Sequence, residues 1–305
     1  MSSTFRIGFK DKIFSLVSKF TFELSILLFF VGLGMIISWP FQAKKTYFSE
    51  NAISFGTAED TFHLHPNLSK TPYDTIQSFG LEVIEKNETY FAKLRAPKGN
   101  GKESILIISN DIDLSLNIIK YLSQQKWLHH DLLFMIENKN SNELEEILNS
   151  KKISTGVIRE AIHLNFDHYE FDSVILNTVG KNGDLPNLDL VNIIIYGFEH
   201  SLGIKVNLHE PTLFSIHPKY DVFLHHYKQQ LFGNPTNFGK NGFLSKFNTH
   251  VITLTSPLNK NPNVDKFNNK MLIGKLTTST IRYLNNLIES MHQSYFLYFM
   301  MSNYS

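Results

Sequence analysis

Histidine and acidic side chains are the groups in this chain whose types and spacing could do chemistry. The 305 residues include 13 His but no Cys. Ligand types that zinc accepts stand close together at His63-x-His65, His129-His130-Asp131, His163 with Asp167-His168, and His225-His226. None of these groups has the spacing of a known zinc motif, so solvated or hydrogen-bonded histidines explain them.

Several classes of site are excluded by composition. Without Cys the chain has no disulfide, no thiol nucleophile and no Cys-ligated zinc or iron–sulfur centre. The signatures G-x-S-x-G, P-loop, G-x-G-x-x-G and H-E-x-x-H are also absent. A formal charge of +1 gives no field that would attract a nucleic acid, and we predict no such partner.

The first element that must position any site is an apolar helix. Residues 24–41 contain no charge, and about 20 apolar residues span a bilayer core. A cleaved signal peptide is the alternative, but its apolar region is usually about 7–15 residues long. We therefore predict a tail at residues 1–19 and a transmembrane helix at residues 20–41.

The flanks of this helix indicate its orientation. Four basic residues precede it, against Lys44 and Lys45 after it, which favours a cytosolic N-terminus. Sequons begin at Asn67, Asn87 and Asn303 and are compatible with a luminal domain carrying glycans.

The remainder alternates strand-like and helix-like stretches, which predicts an α/β domain with a mainly parallel sheet covered on both faces. Helices are predicted from Thr71-Pro72 to Gly80, over residues 113–126, over residues 188–202 and from residue 267. The predicted strands are Ser104–Ser109, Leu132–Ile136, Ala161–Phe166, Ser173–Val179, Ile204–Leu208 and Val251–Leu254. Residues 294–301 are wholly apolar and aromatic apart from Ser294, but are too short to span a bilayer.

Four strings in this order resemble one family. They are Tyr47–Ala52, Leu94–Pro97, Asn182–Leu190 and His292–Ser294. Together they resemble the glycosylphosphatidylinositol (GPI) anchor attachment protein family, an accessory subunit of the GPI transamidase complex of the endoplasmic reticulum. The most specific string supplies the motif residues Asn182, Gly183, Leu185, Pro186, Asn187 and Asp189. Within it, Asn182-Gly183 is a turn signal and Asn187 can cap a helix.

The resemblance implies a zinc-aminopeptidase-like fold for a luminal domain over residues 42–285. Active enzymes of that fold carry His-x-Asp, paired Glu and a later Asp at strand ends. The corresponding strings are Ser109-Asn110-Asp111, Glu137-Asn138 and Asn165-Phe166-Asp167. Because the first His and one Glu are missing, we expect no zinc site, no cofactor and no peptidase activity.

The resemblance also implies that the catalytic Cys lies on another, cysteine-protease-like subunit. This chain would bind the GPI lipid and present it, beside other subunits, at the luminal membrane surface. The implied lipid contacts are Tyr47, Ser49, His292, Gln293 and Ser294, and Gln293 is also a candidate ligand of a hard cation at the lipid phosphate. The same residues could instead anchor two helices at the interface.

The family continues through further membrane helices, whereas only eleven residues follow Ser294. Residues 286–305 are therefore expected to enter a truncated second membrane helix, in a fragment or a reduced form. Two other functions stay open. One is a membrane-anchored metallo-aminopeptidase that uses Asp111, Glu137, Asp167 and a His, and the other is a structural ectodomain that only docks partners.

Overall fold

The computed structural model describes residues 12, 18–42, 62–65, 71–137, 143–150, 153–178, 180, 184–208, 239–258 and 260–286. The chain divides into two compact units, and helix α1 (Thr21–Gln42) belongs to the first. The window Thr21–Ser38 has a mean hydropathy of 2.0 and is not buried. Among the described residues it is the one helix long and apolar enough to cross a membrane. This confirms the predicted apolar helix as a candidate span.

The second unit contains an α/β domain in which all six predicted strands are present. The strands are β1 (Glu82–Lys86), β2 (Thr89–Leu94), β3 (Glu103–Ser109), β4 (Asp131–Ile136), β5 (Val157–Asn165), β6 (Ser173–Asn177), β7 (Lys205–Asn207) and β8 (His250–Thr255). The helices are α2 (Pro72–Ser78), α3 (Ile112–Ser123), α4 (Leu144–Ser150), α5 (Leu188–Tyr196), α6 (Gly239–Ser245) and α7 (Lys266–Asn286). A π-helical turn, Gly197–Ser201, continues α5.

The eight strands form one sheet in the order β1-β2-β4-β3-β5-β8-β6-β7. The central strands β4, β3, β5 and β8 are mutually parallel, as predicted. The flanking pairs β1-β2, β2-β4 and β6-β8 are antiparallel, so the sheet as a whole is mixed. The hairpin β1-β2 was not expected from the sequence.

Parallel strands end at a common edge, and this gives the domain two edges that carry different residues. We call the edge where β3, β4, β5 and β8 end the carboxyl edge, and the edge where they begin the amino edge. The hairpin turn at Asn87-Glu88 lies beyond the carboxyl edge, because Tyr90 pairs with Ile136 at the end of β4.

Helices cover both faces of the sheet, which confirms the predicted layering. On one face, Leu144 and Ile147 of α4 and Leu244 of α6 pack on the alternate strand residues Leu106, Leu133, Ala161 and Val251. On the other face α3, α5 and α7 pack together. The central strands are apolar on both faces because neither face meets water.

Helix α7 crosses the second face from one edge to the other. Near its start, Nζ of Lys270 lies 2.9 Å from Oδ2 of Asp111 at the carboxyl edge. Near its end, Oδ1 of Asn285 accepts a hydrogen bond from the His129 N–H at the amino edge, over 2.6 Å. At about 1.5 Å per residue, its 21 residues span about 31 Å.

Candidate functional site

The five implied lipid-contact residues, Tyr47, Ser49, His292, Gln293 and Ser294, lie outside the described residues, as do Asn182, Gly183 and Asn138. The positions that would carry zinc ligands in an active peptidase are described, apart from Asn138. They lie along the carboxyl edge, directly after β3, β4 and β5. This edge is therefore the place where the structure tests the predicted chemistry.

Both carboxylate oxygens of Asp111, after β3, have partners. Its Oδ1 accepts a hydrogen bond from the Leu114 N–H over 2.9 Å, which caps α3. Its Oδ2 accepts one from the Tyr169 hydroxyl over 2.8 Å and lies 2.9 Å from Nζ of Lys270. Burial of Tyr169, and then the neighbouring Asp111 carboxylate, raise the pKa of the Tyr169 hydroxyl. The Asp111 carboxylate is thus a structural cap held by a lysine.

Glu137, after β4, is paired with a second lysine. Its Oε2 lies 2.7 Å from Nζ of Lys240 at the start of α6, and its Oε1 lies 3.7 Å from Nε2 of His163. The 2.7 Å separation of Glu137 Oε2 and Lys240 Nζ makes the two groups a close ion pair. Burial raises the pKa of Glu137, and Lys240 opposes that shift.

A buried polar chain extends from Glu137 across β5 and β8. Burial, and then Lys240, lower the pKa of His163 to about 4, so its imidazole is neutral at physiological pH. Its Nδ1 lies 3.1 Å from Oγ1 of Thr253, which donates to Oδ1 of Asn241 over 2.6 Å. Nδ2 of Asn241 in turn donates to the Asn177 carbonyl over 3.0 Å. These bonds join α6 to three strands.

The third ligand position, after β5, is Asp167. The Asp167 side chain is exposed, and its backbone N–H donates to Oγ of Ser256 over 3.3 Å. Nε2 of the neighbouring His168 lies 2.8 Å from the Pro257 carbonyl. Within the described ranges, no group of three or more His, Asp or Glu side chains could hold a metal ion.

The site residues that sequence reasoning missed are the two lysines. Lys240 follows a long stretch without any recognised pattern, and Lys270 sits in an ordinary helical repeat. No local signal marks a lysine that neutralises a buried carboxylate, because its partner is more than 100 residues away in the chain. Together they occupy carboxylates that a metal would otherwise need as ligands.

The described part of the Asn182–Leu190 string positions helix α5. Oδ1 of Asn187 accepts the Asp189 N–H over 2.9 Å and caps the helix. The Asn187 N–H donates to Nδ1 of His250 over 3.2 Å, which ties the cap to the start of β8. Burial raises the pKa of Asp189 and, with the charge of Arg159 second, lowers that of His250. The string therefore has a structural part in this fold.

Comparison with known proteins agrees with the sequence resemblance. A family model described as Gaa1-like, GPI transamidase component, matches residues 86–305. GPI transamidase component GAA1 of Saccharomyces cerevisiae is 24% identical over 308 residues, covering 86% of this chain and 49% of the yeast protein. The Schizosaccharomyces pombe component gaa1 is 23% identical, covering 96% of this chain and 61% of its own length. The chain thus spans about half to three-fifths of these relatives.

Solved structures with partial similarity include a glutaminyl cyclase and a Zn-dependent exopeptidase. The glutaminyl cyclase of Porphyromonas gingivalis has a TM-score of 0.45 and 12% identity, covering 71% of this chain and 88% of its own. The exopeptidase of Parabacteroides distasonis has a TM-score of 0.42 and 9% identity, covering 69% and 87%. The family model, which matches more than two-thirds of the chain, establishes the relationship: the chain belongs to the Gaa1-like family of GPI transamidase components.

Proposed function

We propose that this chain is a non-catalytic subunit of the GPI transamidase complex that binds the GPI lipid and presents it to precursor proteins. The family match over residues 86–305 is the observation that carries the proposal. The absence of Cys from these 305 residues is consistent with it, since none of them can form an acyl-enzyme on a thiol. The lipid's phosphoethanolamine amine would attack that thioester, releasing the thiol and forming the new amide.

The proposed arrangement follows from the apolar segments. Helix α1 would anchor the chain in the endoplasmic reticulum membrane, with the N-terminal tail in the cytosol and residues 42–285 in the lumen. Residues 286–305 would enter a second membrane helix. The luminal side can be tested at the Asn87-Glu88-Thr89 sequon, where Asn87 is exposed. A mobility shift removed by endoglycosidase and by N87Q supports a luminal domain, whereas an unglycosylated chain with a protease-accessible domain in sealed microsomes opposes it.

The proposed lipid contacts bracket the domain in sequence. Tyr47 and Ser49 follow the first apolar segment, and His292–Ser294 lead into the apolar run that ends the chain. Hydroxyl, amide and imidazole groups can bind phosphate and sugar oxygens, which a GPI headgroup offers in number. Gln293 could also hold a hard cation that bridges the lipid phosphate.

A metallo-aminopeptidase is less well supported by the described residues. Asp111 and Glu137 are each paired with a lysine ammonium group, and the Asp167 side chain is exposed. A metal at these carboxylates would have to displace Lys240 and Lys270, or would bring a second cation close to each ammonium group, which is costly.

The decisive experiment replaces the five lipid-contact residues together with Ala in cells whose own copy of the subunit is depleted. We expect uncleaved precursor proteins and free GPI to accumulate while the subunit still purifies with its partners. The matched control replaces Gln77 and Ser154, two exposed polar residues remote in sequence from both apolar segments. Normal anchor attachment by the five-residue variant would refute the lipid-contact proposal.

Two further measurements separate lipid presentation from simple docking. A photoactivatable GPI should label peptides near residues 47–49 and 292–294, and labelling confined to other subunits would favour a structural ectodomain. Affinity purification from membranes should recover a cysteine-protease-like subunit. Its consistent absence would contradict membership of an active transamidase complex.

A further inference from the structure

We propose that the amino edge of the sheet is a membrane-docking surface that binds the phosphate-bearing headgroup layer of the bilayer. The surface, called the basic edge here, consists of Lys98, Lys102, Lys126, Trp127 and Arg282. It goes beyond the proposed function, because it concerns contact with the membrane as a whole rather than with the GPI lipid. It requires only that the chain is attached to a membrane.

Three chain segments are tied together to form the basic edge. The Lys98 N–H donates to the Leu128 carbonyl over 3.2 Å, which joins the loop after β2 to the loop before β4. The two loops approach so closely that a Cβ at Gly99 would lie 2.7 Å from the His129 carbonyl oxygen. Asn285, in the last turn of α7, holds the second loop through the bond from the His129 N–H and a 3.0 Å bond to the Trp127 carbonyl.

The positive charge of this surface is not neutralised locally. Lys98, Lys102 and Lys126 are exposed, and among the described residues none of them, nor Arg282, forms an ion pair. The acidic residues nearby already have partners. Glu82 pairs with Arg95 at 2.5 Å, Glu103 with Arg159 at 3.0 Å, and buried Asp131 with Lys93 at 2.8 Å. A net positive surface therefore remains, and lysine and arginine side chains are suited to bind the phosphate oxygens of lipid headgroups.

Trp127 adds the aromatic group that is typical of a membrane interface. Its ring is half-buried, and the Arg282 guanidinium lies 4.4 Å from the ring centroid. Its Nε1 donates to Oε1 of Gln125 over 2.9 Å. Tryptophan with an apolar body and a polar N–H is enriched at headgroup depth, next to basic side chains.

The basic edge is where the chain leaves the domain towards its terminal apolar run. Helix α7 ends at Asn286 on the basic edge, and the apolar run Ser294–Met301 starts eight residues later. Eight residues reach roughly 28 Å when extended and about 12 Å when helical. The carboxyl edge carries exposed charges of both signs: the acidic residues Glu88, Glu145 and Glu146, of which Glu146 pairs with Lys86, and the lysines Lys205, Lys260 and Lys266.

The position of Trp127 relative to the lipid can be measured in the full chain. Trp39 and Trp127 are its two tryptophans, so W39F leaves Trp127 as the sole fluorescent reporter. The W39F chain is reconstituted into vesicles of phosphatidylcholine with phosphatidylglycerol, which contain no GPI. We expect Trp127 to be quenched by lipids brominated just below the headgroup and to be shielded from aqueous acrylamide. About 1 M NaCl, where the screening length is about 3 Å, should reverse both effects.

Charge variants then test whether the lysines of the basic edge are responsible for the docking. K98E/K102E/K126E should abolish the quenching. Each lysine near an anionic surface raises the membrane-binding constant by a factor of about five, so reversing three charges should lower that constant more than about 100-fold. The matched control K205E/K260E/K266E changes the same charge at exposed lysines on the carboxyl edge and should retain the quenching. The milder K98Q/K102Q/K126Q, with circular dichroism of each variant, separates a docking defect from misfolding.

Several results would overturn the proposal. Absence of lipid quenching in the W39F chain would show that the edge does not touch the bilayer. Equal quenching in the basic-edge and control variants would show that its charges are irrelevant. Shielding of Trp127 from acrylamide only when partner subunits are present would assign this surface to a protein contact instead. Because the vesicles lack GPI, none of these results depends on lipid presentation.

Discussion

Replacement of Lys240 by Met is the sharpest test of the idea that a lysine neutralises the carboxyl edge. Met preserves most of the side-chain volume but removes the ammonium group that lies 2.7 Å from Glu137. The Glu137 side chain is only 6% exposed, so its charge would remain without a partner in a poorly solvated site. Removing one member of a buried ion pair typically costs about 3–5 kcal/mol.

Protonation of Glu137 sets an upper limit to this loss. Burial already raises the pKa of Glu137, and loss of Lys240 removes the charge that opposes the shift. From the ordinary value of 4.5, protonating the group at pH 7 costs about 3.4 kcal/mol, at 1.36 kcal/mol per pH unit. At pH 5 the same limit is about 0.7 kcal/mol. The free energy of unfolding of K240M should therefore fall by up to about 3 kcal/mol below that of the parent at pH 7 and by less than about 1 kcal/mol at pH 5.

The sign of the pH dependence follows from proton binding. In K240M the folded pKa of Glu137 lies above the unfolded value, so the folded state binds more protons between the two values. The folded pKa of Glu137 is already raised in the parent and rises further in K240M, so the stability of the variant relative to the parent is highest below the parent's folded pKa and falls as the pH rises toward the folded pKa of the variant.

The assay is thermal unfolding of the detergent-purified full chain in the W39F background, followed by Trp127 fluorescence. A loss of about 3 kcal/mol corresponds to a decrease in Tm of about 6–12 °C for a domain of this size. E137Q/K240M should recover most of the loss, and K260M, which changes an exposed lysine, should stay within about 0.5 kcal/mol of the parent. A K240M loss that is below about 0.5 kcal/mol at pH 7, or equally large at pH 5, would refute the reasoning.

Three further predictions concern helix packing, the hydrogen bonds that hold the Trp127–His129 loop, and metal content. G274A should destabilise the protein by about 1–3 kcal/mol, because the new Cβ would lie 2.3 Å from the Phe62 ring, even though Ala is the better helix former. The double variant F62L/G274A should recover part of that loss. N285A removes two bonds to the backbone at Trp127 and His129, and should cost about 1–3 kcal/mol in unfolding measurements and speed exchange of the His129 amide. Elemental analysis of protein purified with added zinc should give well under one zinc per chain, whereas stoichiometric zinc with a chelator-lowered Tm would contradict the lysine-neutralised carboxyl edge.

Strands whose residues are apolar on both faces could be read from the sequence. Ser104–Ser109 and Leu132–Ile136 are continuous apolar runs, and both form central strands that meet no water. The hairpin β1-β2 escaped prediction because β1 is an edge strand in which three of the five residues are charged and none is fully buried. Its turn also lacks the usual glycine: Asn87 and Glu88 adopt positive φ values of 45° and 63°.

The start of β5 shows a second limit of sequence reasoning. Arg159 and Glu160 interrupt its apolar run, so the strand was expected to begin at Ala161. The structure begins it at Val157, with a register shift beside Arg159, and buries Glu160 between β3 and β8. Burial raises the pKa of Glu160 to about 8, so a charged residue in the sequence is largely neutral in the fold.

The sequence by itself determined the apolar first helix, the α/β class, the family and the absence of a thiol, because each depends on local pattern or on composition. Through the family resemblance it also predicted that a zinc ligand set is incomplete. Only the tertiary structure decided what happens to the carboxylates that remain. Glu137 with Lys240, and Asp111 with Lys270, meet across more than 100 residues of chain, because parallel strands end at one edge and helices α6 and α7 begin beside it. Such pairs leave no trace in local spacing, since folding alone brings their charges within contact.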